Sequence, residues 1–374
     1  MILHSPICCH FGTLLGLAPS HHNDIRQACT SLVDSDVIQG GSRTLRLCID
    51  QVMKECDFNI LFIITSCIPE LFNDDCLQTL AAIMADSTYA NARKPTVIIE
   101  APGFKGSEWQ GTLQAMQQLV TLMKPKPVIP STINLIGFFA SDYKVDGDLK
   151  NIIQMLEGIT INAIFPYDTY DRVLNIPAAQ LNVVLRGLES IGDLLEQQFA
   201  TPHIVVDYPY GLNQSRAFAE SIYRALGLGI GTGIDRQEGE ALQRLGNAKR
   251  YIEQLFMMPV AVVGYPPRLY GMANALQQEL GMKIVAQIDR TEFAQEELLD
   301  VIKESMAVMF WGCDYEAGIA DKLDIPFVAY DYPALRRVSI AENGYAGFQG
   351  YVNLLEDVIN TLMAKRFSEV GNDR

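Results

Sequence analysis

The sequence predicts an α/β protein built as three Rossmann-like domains, each a parallel sheet flanked by helices. Short β-branched runs alternate with longer amphipathic runs along the whole chain, and strands separated by helices pair in parallel through right-handed crossovers. The chain has 374 residues, 49% of them hydrophobic, enough for several cores of ordinary domain size. The rhythm breaks most clearly at Lys124-Pro125-Lys126-Pro127 with Pro130, where closely spaced prolines cannot continue a helix. The expected domains are 1–125, 126–230 and 231–374.

In the first domain, strands are expected at 1–4, 35–38, 60–66 and 96–101, closed by a helix over 107–123. The second opens with Ile133-Asn134-Leu135-Ile136-Gly137 and continues with strands at 159–165 and 203–207, then a helix over 215–226. Strands at 260–264, 283–288, 307–311 and 326–329 make up the third. The glycines Gly227, Gly229, Gly231 and Gly233 resemble a phosphate-cradling loop, but they follow a helix, whereas the dinucleotide fingerprint needs strand, glycines, then helix. They read as a turn between domains. Gly40-Gly41 follows an expected strand and suits a tight βα turn as well as a weak nucleotide site. With no Walker A lysine motif, the chain is expected to bind no nucleotide.

Composition removes several classes of function. A net charge of −15 without a basic stripe argues against a nucleic-acid partner. No window reaches the roughly 18–20 apolar residues of a membrane span, and no basic flank precedes an apolar run at the N-terminus. A cytoplasmic protein with no membrane partner is expected. Eight cysteines in a chain this long do not form a disulfide framework, and clustered ones point to metal or redox chemistry. The five histidines show no H-x-x-x-H spacing, and there is no C-x-x-C, which argues against a closed zinc site.

The thiols carry the chemistry. Cys67 ends the run Ile60-Leu61-Phe62-Ile63-Ile64-Thr65-Ser66, at the carboxyl end of an internal strand, where open α/β sheets put their ligands. Cys8-Cys9 follows the strand-like Met1-Ile2-Leu3-His4 and leads into a glycine-containing turn. If the two strands are neighbours, soft ligands converge on one surface, suited to an iron–sulfur cluster or zinc. Cys29, Cys48, Cys56 and Cys76 are expected in or beside helices as small apolar core residues. Cys313, after the strand at 307–311, keeps both a core and a functional reading. His4 and His10 flank the thiols, as ligands or as strand-end histidines satisfied by backbone groups. His21-His22 reads as a solvated loop. Asp74-Asp75 fits paired carboxylates or acids at a helix N-terminus. Arg336-Arg337 fits an anion contact or a cap on the last domain. The residues alone assign no catalytic group.

Several segments in register resemble one family. They are Leu3-His4-Ser5-Pro6-Ile7-Cys8-Cys9, Asp36-Val37-Ile38-Gln39-Gly40-Gly41, and Thr65-Ser66-Cys67 running through Pro69 to Asn73-Asp74-Asp75. Pro102-Gly103-Phe104-Lys105-Gly106-Ser107, Asn134-Leu135-Ile136-Gly137, Tyr208-Pro209-Tyr210-Gly211, Asp324-Ile325-Pro326 and Gly344-Tyr345-Ala346-Gly347 continue the match. Together they resemble the nitrogenase component 1 superfamily, which includes nitrogenase subunits, a cofactor-assembly scaffold and tetrapyrrole reductases. The resemblance implies that Cys9 and Cys67 bind an iron–sulfur cluster, of 4Fe–4S or 8Fe–7S type, shared at a subunit interface. The family's further upstream cysteine has no counterpart, and Cys8 stands where the family usually has glycine. The implied ligand set is therefore Cys8, Cys9 and Cys67, or Cys9 and Cys67 alone. Gly103 takes a position where some β subunits offer a serine oxygen.

The cofactor-bearing α subunits of the family use a mid-chain cysteine and a late histidine. Here Tyr208-Pro209-Tyr210-Gly211 has no cysteine and no histidine follows His203. The resemblance thus implies a β-type subunit that relays low-potential electrons from an ATP-hydrolysing iron protein to a cofactor in an α-type partner, in an α2β2 heterotetramer. A homodimer is the alternative assembly. The substrate would be a methylthio-alkane or other small sulfur compound, or dinitrogen. Alternative readings are a homodimeric tetrapyrrole reductase, or an assembly scaffold without turnover.

Overall fold

The computed structural model describes residues 1–17, 25–85, 94–293 and 297–372; His21-His22 lies outside them. The chain forms two compact units, Met1–Met123 and Lys124–Arg374, divided where the proline-rich segment begins.

In the first unit, strands β1 (Ile2–His4), β2 (Ala28–Cys29), β3 (Leu61–Thr65) and β4 (Thr96–Glu100) form one parallel sheet in the order β2-β1-β3-β4. Its helices are α1 (Ile7–Leu17), α2 (Asp34–Gln39), α3 (Ser42–Glu55), α4 (Cys67–Leu71), α5 (Cys76–Ala85) and α6 (Glu108–Thr121). Leu45 and Ile49, one turn apart on α3, pack with Leu61 and Ile63 of β3, so the helix stripe and the strand face close one core. Ser107 caps α6 by accepting the Gln110 amide while the Gln110 side chain returns to the Ser107 amide, a capping box legible in the sequence.

Three local expectations for this unit change. Residues 35–38 are helix, not strand, because the Asp36 carboxylate accepts the Val33 amide at 3.0 Å and caps α2; that local bond outweighs the β-propensity of Val37 and Ile38. The second strand is instead Ala28–Cys29, which moves Cys29 from a helix to a strand end. Cys8 and Cys9 lie inside α1 rather than before a turn, since a lone Gly12 costs a helix only about 1 kcal/mol and does not end it.

The second unit holds two more parallel sheets. Strands β5 (Ile129–Phe138), β6 (Thr160–Pro166), β7 (Ala179–Leu185) and β8 (His203–Val206) take the order β6-β5-β7-β8; β9 (Pro259–Gly264), β10 (Lys283–Asp289), β11 (Met309–Gly312) and β12 (Phe327–Ala329) take β10-β9-β11-β12. Helices α7 (Val145–Met155), α8 (Tyr170–Val173), α9 (Glu189–Phe199), α10 (Leu212–Ala225), α11 (Gly233–Gly246) and α12 (Lys249–Ile252) precede β9. Then come α13 (Pro266–Asn274), α14 (Leu298–Ser305), α15 (Ala317–Leu323) and the long α16 (Gly347–Asn372). The glycine-rich stretch connects α10 to α11, with no strand before it. One hydrophobic core runs through this unit, joining Leu135 and Val183 to Val262 and Trp311 with Leu354 and Val358 of α16. Strand β7 escaped the periodicity because Asn182 interrupts its apolar run. That residue is fully buried and accepts the Asn134 amide group at 2.7 Å. Among the described residues no helix is long and apolar enough to cross a membrane.

Candidate metal centre

The order β2-β1-β3-β4 makes the chain leave β1 toward one side of the sheet and β3 toward the other, so loops diverge between these two strands and open a crevice. Ile2 pairs with Ile63, Leu3 with Ile64 and His4 with Thr65, so β1 and β3 end level with each other. Cys8 and Cys9 sit in the first turn of α1 just beyond β1, and Cys67 opens α4 just beyond β3. Cys8 and Cys9 are exposed and Cys67 is half-buried. The Gly103 amide, in the loop after β4, donates to the Cys67 sulfur at 3.2 Å. Burial raises the Cys9 thiol above its ordinary range, and the nearby Cys8, Cys67 and Cys29 add to that rise, so these sulfurs share one electrostatic neighbourhood.

A buried polar frame holds the crevice. His4 is fully buried, its Nδ1 3.1 Å from the Thr30 hydroxyl and its Nε2 3.5 Å from Asp74. Burial lowers the His4 pKa against the pull of Asp74, which favours the neutral ring. Its contacts are side chains, where the sequence had suggested backbone groups. Both Asp74 oxygens accept the Gly41 amide, each at 2.9 Å. A Cβ on Gly41 would stand 2.5 Å from Asp74 Oδ2 and 2.9 Å from His4 Cε1, so the glycine is required by close packing rather than by a phosphate. Asp75 plays no part in that frame. Its carboxylate accepts the Gln78 amide at 2.7 Å and caps α5.

The remaining cysteines divide differently from expectation. Cys76 is core, and burial pushes its thiol up to about 12. Burial likewise raises Cys48, on α3. Cys29 is the residue the sequence misassigned: it ends β2 beside β1, half-buried, with the Ser31 amide 3.3 Å from its sulfur. The only signal for it was Ala28 beside a thiol before Thr30-Ser31, too short to read as a strand. Exposed apolar side chains rim this end of the unit, among them Phe11 at 66% and Ile38 at 84%, with Ile7, Leu71 and Phe104. Among the described residues no group of three or more His, Cys, Asp or Glu side chains can close on a single metal ion.

In the second unit, the segment after β8 carries aromatic and charged groups in place of thiols. Tyr208 and Tyr210 stack 4.6 Å apart. Tyr208 donates to Asp148 Oδ2 at 2.7 Å, the Arg268 guanidinium lies 3.3 Å from the same oxygen, and Arg268 Nε donates to the Tyr210 hydroxyl at 2.7 Å. Both ions are buried, Arg268 2% exposed and Asp148 fully enclosed. Nearby Asp142 is pushed up to about 7 by burial, with Arg268 opposing and Asp331 adding to the rise. Arg336 and Arg337 both serve Asp314, through a backbone amide at 2.6 Å and a guanidinium at 3.5 Å.

Three parallel four-stranded sheets flanked by helices, with thiols at the mouth of the first, define an α/β protein of the Rossmann-like class. The chain belongs to the nitrogenase component 1 type oxidoreductase family, whose model matches residues 1–294 and 288–363. It is 26% identical over 365 residues to the nitrogenase molybdenum-iron protein alpha chain of Methanothermobacter marburgensis, covering 88% of this chain and 73% of that one. It is 23% identical over 423 residues to the corresponding beta chain of Methanococcus maripaludis, covering 98% and 90%. The cofactor biosynthesis protein NifE of Clostridium pasteurianum is 29% identical over 223 residues, 58% of this chain and 47% of that protein. In three dimensions the chain superposes on nitrogenase Cp1 with a TM-score of 0.77 at 17% identity, over 97% of this chain and 88% of that one.

Proposed function

We propose that this chain is a β-type subunit of a nitrogenase-like, ATP-dependent two-component reductase. In this reading Cys9 and Cys67, with Cys8 beside them, hold an iron–sulfur cluster of 4Fe–4S or 8Fe–7S type at a subunit interface on the first domain, 1–125, while 126–230 and 231–374 supply architecture. The partner is an α-type subunit in an α2β2 assembly, or a second copy of this chain, and an ATP-hydrolysing iron protein supplies the electrons. The substrate is a methylthio-alkane or other small sulfur compound, or dinitrogen.

One observation carries the reading: two thiols leave adjacent, level strands at a loop divergence and face an exposed, apolar-rimmed surface. When bound, such a cluster accepts and passes on single electrons at low potential. Cys9 and Cys67 would hold its irons. The Gly103 amide would draw charge from the Cys67 thiolate, and hydrogen bonds to sulfur tune the potential upward. The His4–Asp74–Gly41 frame fixes the ends of β1 and the loop before α3 without offering a ligand of its own. Two or three thiolates do not complete a cluster of this size, so the other ligands come from a second chain. The rim of Phe11, Ile38 and Phe104 would be covered there.

The test is anaerobic purification followed by iron and sulfide analysis, EPR of the reduced state, and light scattering. Cys9→Ala and Cys67→Ala are each expected to abolish the cluster signal while the protein stays soluble. Full iron retention in either variant refutes the ligand assignment, and a cluster-bearing monomer refutes the interface. The likeness to NifE supports a second reading, an assembly scaffold; precursor binding without turnover in the presence of the iron protein would favour it.

A further inference from the structure

We infer that Cys29 is a further cluster thiolate of this chain, on the reading that Cys9 and Cys67 are ligands. Edge strand β2 pairs with β1 in the register Leu3 with Cys29, so the residue ends at the same mouth as the other thiols. Its sulfur lies 3.4 Å from the Ser5 carbonyl and 4.0 Å from the Pro6 carbonyl, and the Cys9 amide donates to that same Pro6 oxygen at 3.2 Å. Cys29 and the first turn of α1 are therefore packed around one peptide. Cys9 in turn lies within electrostatic reach of both Cys29 and Cys67.

The surroundings of Cys29 match those of Cys67. Each sulfur faces a backbone amide, Ser31 N at 3.3 Å for Cys29 and Gly103 N at 3.2 Å for Cys67. An amide aimed at sulfur stabilises the thiolate over the thiol. The Ser5 hydroxyl, 3.6 Å from the same sulfur, donates to the Pro6 carbonyl at 2.9 Å. On ligation the S–H proton, now directed at the Ser5 carbonyl, is released to solvent, the sulfur bonds iron, and the Ser31 amide remains as donor. A single zinc needs every donor within about 2.3 Å of one point. The described residues offer no such three-donor group.

The experiment compares wild type, Cys29→Ser, Cys48→Ser and Cys67→Ala, purified anaerobically, by iron and sulfide content, reduced-state EPR and far-ultraviolet circular dichroism. Cys29→Ser is expected to lose most of its iron or to change the EPR line shape, with helix content unchanged, while Cys48→Ser keeps both. If Cys67→Ala loses the cluster and Cys29→Ser keeps a wild-type spectrum and iron content, the inference is overturned and the cluster reading stands. If both variants keep their iron, both fail. Should Cys29→Ser misfold, metal-free Cys8→Gly protein treated with dibromobimane decides. A Cys9–Cys29 bridged peptide by mass spectrometry supports the inference, and its absence beside intact single labelling of both thiols overturns it.

Discussion

Cys67 and Cys313 occupy the same topological position, each just past the third strand of a sheet with the 2-1-3-4 order. Cys67 is half-buried, with one amide donor and other thiols nearby. Cys313 is fully enclosed, with the Arg290 guanidinium 2.6 Å from its sulfur and the Tyr315 amide at 3.3 Å. Burial pushes the Cys313 thiol up to about 11 although Arg290 pulls it down. Glu316, itself buried, packs against the same cysteine, pairing with Arg290 and accepting the Cys313 amide at 2.7 Å. Topology delivers a thiol to a sheet's mouth, and its neighbours decide whether it stays reactive or becomes core. The same contrast separates the open crevice of the first unit from the sealed Arg268–Asp148–Tyr208–Tyr210 group of the second.

The sharpest break in this comparison is chemical. Cys67→Ala should remove all cluster iron, whereas Cys313→Ala should leave the iron content unchanged and lower stability by about 1–2 kcal/mol. Iron loss from Cys313→Ala would show that the two sites are not opposites. Next in size is the buried ion pair beside Cys313. Arg290→Met strands the buried Glu316 carboxylate and should cost about 3–5 kcal/mol in denaturant unfolding, with Arg290→Met/Glu316→Gln recovering most of it. An unaltered midpoint for the single variant would mean that this pair does not hold the surroundings of Cys313 together.

Acidity distinguishes the two units more finely. Asp142 has a folded-state pKa of about 7, above its unfolded value near 4. Its stabilising share is fully present below that unfolded value and is lost as pH rises through about 7. Asp142→Asn should remove that loss, flattening stability between roughly pH 4 and 7, where one such group changes it by up to about 1.4 kcal/mol per pH unit. A wild-type slope in this variant would reassign the titration. The smallest effect belongs to His4, whose folded pKa is lowered, mainly by burial. Its share is present above the unfolded value near 6.5 and lost as pH falls below it. The protection factors of the β1 and β3 amides, corrected for the intrinsic slowing of exchange in acid, should therefore fall in mild acid in wild type, and less so in His4→Gln.

The strands carrying the thiols were legible because Ile60 to Ser66 and Met1 to His4 are apolar runs bounded by turn residues, and short parallel strands need little more. Asp74 and Gly41 were visible as letters only. Their bond joins residues 33 apart, and no periodicity encodes it. Cys29 was misread because a two-residue edge strand has no period at all. Arg268 and Asp148 stand 120 residues apart and look like ordinary surface charges until the sheets bring them together. Local patterning writes the layers, while the buried polar pairs are written only in three dimensions.

Asp148 also bonds the backbone amides of Tyr345 and Ala346, 197 and 198 residues further along. Such separations raise the contact order, and high contact order slows folding because chain entropy is lost before the closing contacts repay it. The second unit therefore closes its core only after the segment entering α16 has returned to α7. The first unit, whose strand pairs β1–β3 and β3–β4 close loops of roughly 35–60 residues, has no comparable wait. Pulse-labelled exchange during refolding should find the amides of β3 and β4 protected ahead of those of Tyr345 and Ala346. The thiol face would then be formed, and open to iron or to a partner, while the rest of the chain is still searching for its last helix.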